Sequence, residues 1–152
     1  MALICGFYLN ELLIRLLHRD DPHEQLFDYY QDTLSALNTQ QDYTPILRQF
    51  ERRMLIELGY ALTFNEDVVS GKLLNSDEEY YYEVERGPMA ANGNDDISCP
   101  RLRGKTLLDM EKNDYSDTVT RQQSKVLMRY ILGHYLGEKP LYSRQLLGAM
   151  QT

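Results

Sequence analysis

Residues 44–60 read TPILRQFERRMLIELGY, a stretch in which both ends and one face are specified. Thr44 offers the side-chain oxygen of an N-cap. Pro45 suits the first helical position, where its missing N–H would be unpaired anyway, and Gly59 stands where a left-handed C-cap belongs. At about 100° per residue, Leu47, Phe50, Met54, Leu55 and Leu58 share one face, so this helix is amphipathic and must bury that face against other elements. Tyr60 follows at the place of a hydrophobic C-cap contact.

Two features of the same helix bear on function. Glu51 falls in the middle of the apolar face, where a lone carboxylate is costly, so a buried basic or N–H partner is expected for it. Arg48 and Arg52, four residues apart, border the apolar stripe beside Leu55. With Leu34, Leu37 and Leu47 as apolar wall, they would form a groove carrying two guanidinium groups on its lip, which suits an acidic peptide with an apolar anchor. The plainer alternative is two solvated arginines pairing with local acids.

The 152 residues suit a single domain, expected over 1–152 with an irregular insertion at 61–100. The net charge of −7 is unevenly distributed: residues 1–64 hold five basic and nine acidic side chains, 65–99 two and nine, and 100–152 nine and five. Only the last third could present phosphates with a basic surface, so strong autonomous nucleic-acid binding is not expected. Cys5 and Cys99 fit neither a disulfide framework nor a zinc site, and reduced thiols in the cytoplasm are expected. The apolar run from Ala2 to Leu17 is too short and too polar to span a bilayer and lacks a cleavage-site pattern, so it reads as a core helix.

Along the chain, a first helix is expected from about Leu3 to His18, with Glu11 and Arg15 as an i,i+4 pair. A D-x-x-E capping box at Asp21 to Glu24 opens a second helix to about Leu37, with Leu26, Tyr30, Thr33, Leu34 and Leu37 buried. The 3.6 period is lost over 61–100, where Tyr80 to Arg86 reads as a short strand or hairpin closed by Gly87-Pro88 and Asn92 to Asp96 as a loose tip. A short helix over Leu102 to Met110 and a longer one over Asp117 to Leu136 follow. The latter has a wide apolar arc (Val126, Leu127, Tyr130, Ile131, His134, Tyr135) and a strip of Arg121, Lys125 and Arg129, which is phosphate-facing or simply solvated. A last turn is expected over Ser143 to Met150. The fold class is therefore mainly α, a bundle-like domain with a small β hairpin and loop insertion around 65–100. No phosphate loop, HExxH, GxSxG or Cys/His arrangement is present, so the chain reads as a non-enzymatic interaction domain.

The segments Tyr8-Leu9-Asn10-Glu11-Leu12-Leu13, Phe27, Leu47-Arg48-Gln49-Phe50-Glu51 with Leu55, Leu58-Gly59-Tyr60 and Leu136-Gly137-Glu138-Lys139-Pro140-Leu141-Tyr142-Ser143-Arg144 resemble the C-terminal helical domain of the RecO family of recombination mediators. Family members begin with an OB-fold domain, and no such β-rich segment precedes Leu3, so the resemblance implies a piece of a longer protein. It also implies a role in recombinational repair within the cytoplasm, at the nucleoid. That role comprises binding of single- and double-stranded DNA, strand annealing and, with RecR, loading of RecA onto strands coated by single-stranded-DNA-binding protein. In the family the helical domain receives the acidic tail of that coating protein, which ends in an apolar residue with a free carboxylate, and Arg48 matches the family's arginine in L-R-x-F-E. The family's four-cysteine zinc site retains at most Cys99 here, so no metal or other cofactor is expected. Glu51 and Arg144 both match family motifs, and Arg144 or Arg129 is the expected buried partner of Glu51.

Overall fold

Tertiary contacts in the computed structural model gather the chain into two units, residues 1–58 with 133–152, and residues 59–132. The structure describes residues 1–60, 62–93 and 98–150, so most of the tip expected at Asn92 to Asp96 lies outside the described residues.

The first unit is helical: α1 (Ala2–Leu16), α2 (Glu24–Thr39), α3 (Tyr43–Glu57), the last turn of α5 (Thr118–Leu136) and α6 (Tyr142–Met150). Phe50, Met54 and Leu55 of α3 are fully buried, each contributing about 1.5–3 kcal/mol of hydrophobic transfer. Phe50 packs parallel to Tyr29 of α2, with centroids 6.0 Å apart, and is tilted against Tyr30. Leu9 and Leu12 bring α1 into the same core.

Both helix starts differ from expectation. Helix α3 begins at Tyr43 with Asp42 as N-cap and no side-chain cap bond; Pro45 is accommodated because N–H groups of the first turn have no helical partner. The capping box before α2 does not form: the helix starts at Glu24 after His23, and the Asp21 carboxylate lies 3.3 Å from the His23 ring instead. At the other end of α3 the glycine does what its position requires, since Gly59 has φ +88°.

Glu11 and Arg15, expected as a local pair, both reach the segment 136–143 instead. Glu11 accepts hydrogen bonds from the Tyr142 and Ser143 N–H groups at 2.7 and 3.0 Å and from the Ser143 hydroxyl at 2.7 Å, which caps α6. Arg15 donates to the carbonyls of Leu136 and Pro140, closing the end of α5. One turn of α1 thus fixes the segment 136–143. Burial alone would raise the Glu11 pKa, but these hydrogen bonds outweigh it and hold the carboxyl below the usual range.

The second unit holds β1 (Glu79–Glu83), β2 (Gly87–Ala90), β3 (Arg101–Arg103), α4 (Gly104–Glu111) and most of α5. The strands form an antiparallel sheet in the order β2-β1-β3, with Tyr82 opposite Pro88 and Tyr80 opposite Leu102. Gly87-Pro88 therefore opens a second strand rather than ending the first, after a turn with Glu85 at φ +72° and Gly87 at φ +120°. Tyr80, Tyr81 and Tyr82 are all buried, as β1 is the central strand. Asp67 anchors the preceding loop. Its carboxylate accepts from the N–H groups of Val69, Ser70 and Ala90, which against the pull of burial keeps its pKa low. Between β3, α4 and α5, buried Asp109 receives the Thr120 hydroxyl and Lys105, each at 2.7 Å, and Gln123 receives Thr106 and the Arg103 N–H. No helix among the described residues is long and apolar enough to cross a membrane.

Candidate functional site

The buried carboxylate expected on α3 has its partners on α3 itself and on α1. Glu51 is wholly withdrawn from solvent; Arg48 Nη2 lies 3.0 Å from its Oε1, and Tyr8 donates its hydroxyl to the same oxygen at 2.5 Å. The three-residue spacing on α3 places Arg48 and Glu51 on neighbouring turns of one face, so the carboxylate draws the guanidinium inward. Arg48 thus takes the place that expectation assigned to Arg144 or Arg129, and it sits inside rather than on a lip, with 8% of its surface exposed. Arg144 is close enough to act electrostatically on the Tyr8 hydroxyl. Burial, reinforced by the Glu51 charge and only partly opposed by Arg48, pushes the Tyr8 pKa far above its ordinary value, so Tyr8 remains a donor.

This cluster is incompletely paired. Glu51 Oε2 and Arg48 Nε are buried without a hydrogen-bond partner. Breaking such a buried pair costs about 3–5 kcal/mol, and an unmade buried hydrogen bond about 1–3 kcal/mol. Arg48 therefore stays with Glu51 and still carries donor capacity that the protein does not use.

The other residues expected beside Arg48 are divided. Leu47 and Arg52 are half-buried on α3, and Leu55 is fully buried in the core. Leu34 and Leu37 line a hollow of about 520 Å³ between α1 and α2, together with Ala2, Leu3, Gly6, Phe7, Asn10, Tyr30, Ser35 and Asn38. Further along the same helices a second hollow, of about 570 Å³, is lined by Leu13, Ile14, Leu17, Leu26 and Phe27, with His18, Arg19, Asp21, His23 and Tyr30. Tyr30 lies between the two, its hydroxyl bonded to Asn10. Leu3, Phe7, Ile14 and Phe27 are exposed beside these hollows. Each has room for an aromatic ring.

On α5, Lys125 and Arg129 are exposed and Arg121 is half-buried, donating to the Tyr115 carbonyl at 3.2 Å. The apolar arc is narrower than expected, with Val126 and His134 exposed. Thr120 and Ser124 instead face the core, because their hydroxyls are satisfied by Asp109 and by the Arg121 carbonyl.

The residues do not fit a zinc ion in the segment after Gly59-Tyr60. Cys99 is the only thiol there, and its sulfur lies 3.5 Å from the Tyr130 hydroxyl, whose pKa this contact and burial push up to about 12. Among the described residues no three His, Cys, Asp or Glu side chains converge as metal ligands would.

The residue that sequence reasoning missed is Tyr8. Its signal was present: a tyrosine within the apolar circumference of α1 needs an acceptor for its hydroxyl, and Glu51 was a buried acceptor in want of a donor.

Comparison with known proteins supplies the context. Residues 1–145 match the family described as "Recombination protein O C terminal". The chain is 60% identical over 153 residues to "DNA repair protein RecO" of Nitrosospira multiformis, covering 99% of this chain and 62% of that protein. It is 47% identical to the protein of that name from Azoarcus sp., covering 96% and 61%. Against that from Cupriavidus metallidurans it is 43% identical, covering 99% and 50%. The chain thus spans 50–62% of the length of these relatives.

Proposed function

From the premise that the chain belongs to the RecO family of DNA-repair proteins, we propose that its helical unit receives the acidic C-terminal tail of single-stranded-DNA-binding protein. Within a RecO protein it would thereby support strand annealing and, with RecR, RecA loading on coated single strands. The reading is that of a protein-binding module, not an enzyme. The observation that carries it is the Arg48 guanidinium, held by Glu51 at the position matching the family's arginine with 8% of the residue still open to solvent. A carboxylate arriving at the exposed edge of this guanidinium would gain a charge-assisted contact, with Arg52 one turn further on as a second cation. The tail's apolar residue would occupy the hollow that Leu34, Leu37 and Phe7 line.

The test is fluorescence-polarisation titration of an acidic peptide ending in an apolar residue. Binding is expected to weaken with salt, with Arg52→Glu and with Leu34→Asp. Salt-independent binding untouched by both substitutions would refute the reading.

Exposed Lys125 and Arg129 on α5 favour a second reading, contact with DNA phosphates. It requires that single-stranded DNA be retained by this chain and released by Lys125→Glu.

A further inference from the structure

We infer that Tyr8 and Glu51 are positioning residues for the Arg48 guanidinium, fixing it so that the edge it keeps open to solvent meets a carboxylate of the acidic tail. The inference deepens the docking reading and rests on it. Three observations carry it.

The Arg48–Glu51 contact is one-armed. Both donors to Glu51 converge on Oε1, at 2.5 and 3.0 Å, while Oε2 and Arg48 Nε have no partner. A guanidinium whose sole purpose was to neutralise Glu51 would favour the two-pronged geometry, which satisfies twice as many groups. The anchorage also comes from two helices: Arg48 and Glu51 are one turn apart on α3, and Tyr8 reaches across from α1, 43 residues away in sequence. Local helix geometry alone does not set the orientation of the guanidinium. Finally, Arg48 is itself 8% exposed and is held to a carboxylate with no exposed surface, so the arginine has little freedom to reorient.

The opposite reading treats Glu51 as an internal competitor that must release Arg48 before a ligand can bind. Release would leave a wholly buried carboxylate held by one hydroxyl. That costs more than a single charged contact at the surface returns. Arg48 therefore stays in place and the ligand comes to it, with the ordering of a long side chain already completed in the free protein.

The test compares the acidic peptide with its uncharged counterpart, in which each carboxylate is an amide. Both are titrated against the wild-type chain, Tyr8→Phe and Glu51→Asp at a temperature well below each variant's Tm. Tyr8→Phe removes one hydroxyl and keeps the ring; Glu51→Asp keeps the charge and withdraws it by one methylene. The wild type is expected to prefer the acidic peptide at least tenfold, and each variant to lose most of that preference while binding the uncharged peptide as before. A preference that persists or grows in both variants would overturn the inference while leaving docking intact. Parallel loss for both peptides would assign the two residues a purely structural role and overturn it equally. Absence of any preference in the wild type would remove the docking reading itself.

Discussion

Replacing the buried pair with apolar side chains of similar volume should restore most of the stability that either single replacement removes. In Arg48→Met the stem packing is retained but Glu51, with no exposed surface, loses its cation; the cost is about 3–5 kcal/mol. At roughly 2–4 °C per kcal/mol for a chain of this size, Tm falls by roughly 6–20 °C. Glu51→Leu leaves the guanidinium uncompensated and should cost a comparable amount. In the double variant no buried charge remains, and the loss reduces to that of the Tyr8 hydroxyl without its acceptor, about 1–3 kcal/mol. Adding Tyr8→Phe removes that as well. Urea unfolding of the wild type, both single variants, the double and the triple gives the coupling energy directly, expected to be at least about 3 kcal/mol. Additivity to within about 0.5 kcal/mol would refute the argument that these three side chains form one buried electrostatic unit.

Other consequences are independent of that cluster. Gly104→Ala places a methyl on the Asn75 carbonyl, which backbone movement alone could relieve; unfolding measurements should show a loss of at least about 1–3 kcal/mol. Glu11 and Asp67 both have folded-state pKa values held below their unfolded ones. The stability they contribute is present above the ordinary carboxylate pKa, about 4, and is lost as pH falls through their folded values. Glu11→Gln should accordingly flatten the decline of unfolding free energy below about pH 4, and an unchanged slope would count against the capping of α6. Lys125→Glu should leave peptide affinity unaltered in the polarisation assay, since the α5 strip is assigned no part in tail binding.

What the sequence made legible follows from which signals are local. The amphipathic face of α3 and the glycine after it depend on spacing within one helix, and Phe50, Met54, Leu55 and Gly59 lie as that spacing requires. The need of Glu51 for a buried partner was equally local. The identity of that partner was misassigned: Arg144 or Arg129 was expected and Arg48 was placed on the groove lip, whereas Arg48 turns inward to Glu51, and only packing decides which way a guanidinium turns. The clamp of Glu11 and Arg15 on residues 136–143 spans more than a hundred residues, and no periodicity reports such a contact. The burial of Tyr80, Tyr81 and Tyr82 was not legible because it follows from β1 being central, with a strand on each side, and a five-residue run does not report its place in a sheet. Val126 and His134 misled for the converse reason, as Thr120 and Ser124 took the buried positions once their hydroxyls had partners.

The most direct measurement follows the Arg48 side-chain Nε–H signal by nitrogen-15 NMR, assigned by its absence in Arg48→Lys, as the acidic peptide is added. The account predicts a saturable shift of that signal with the acidic peptide and none with the uncharged one. An Nε–H signal that stays in place while the peptide binds elsewhere would contradict it.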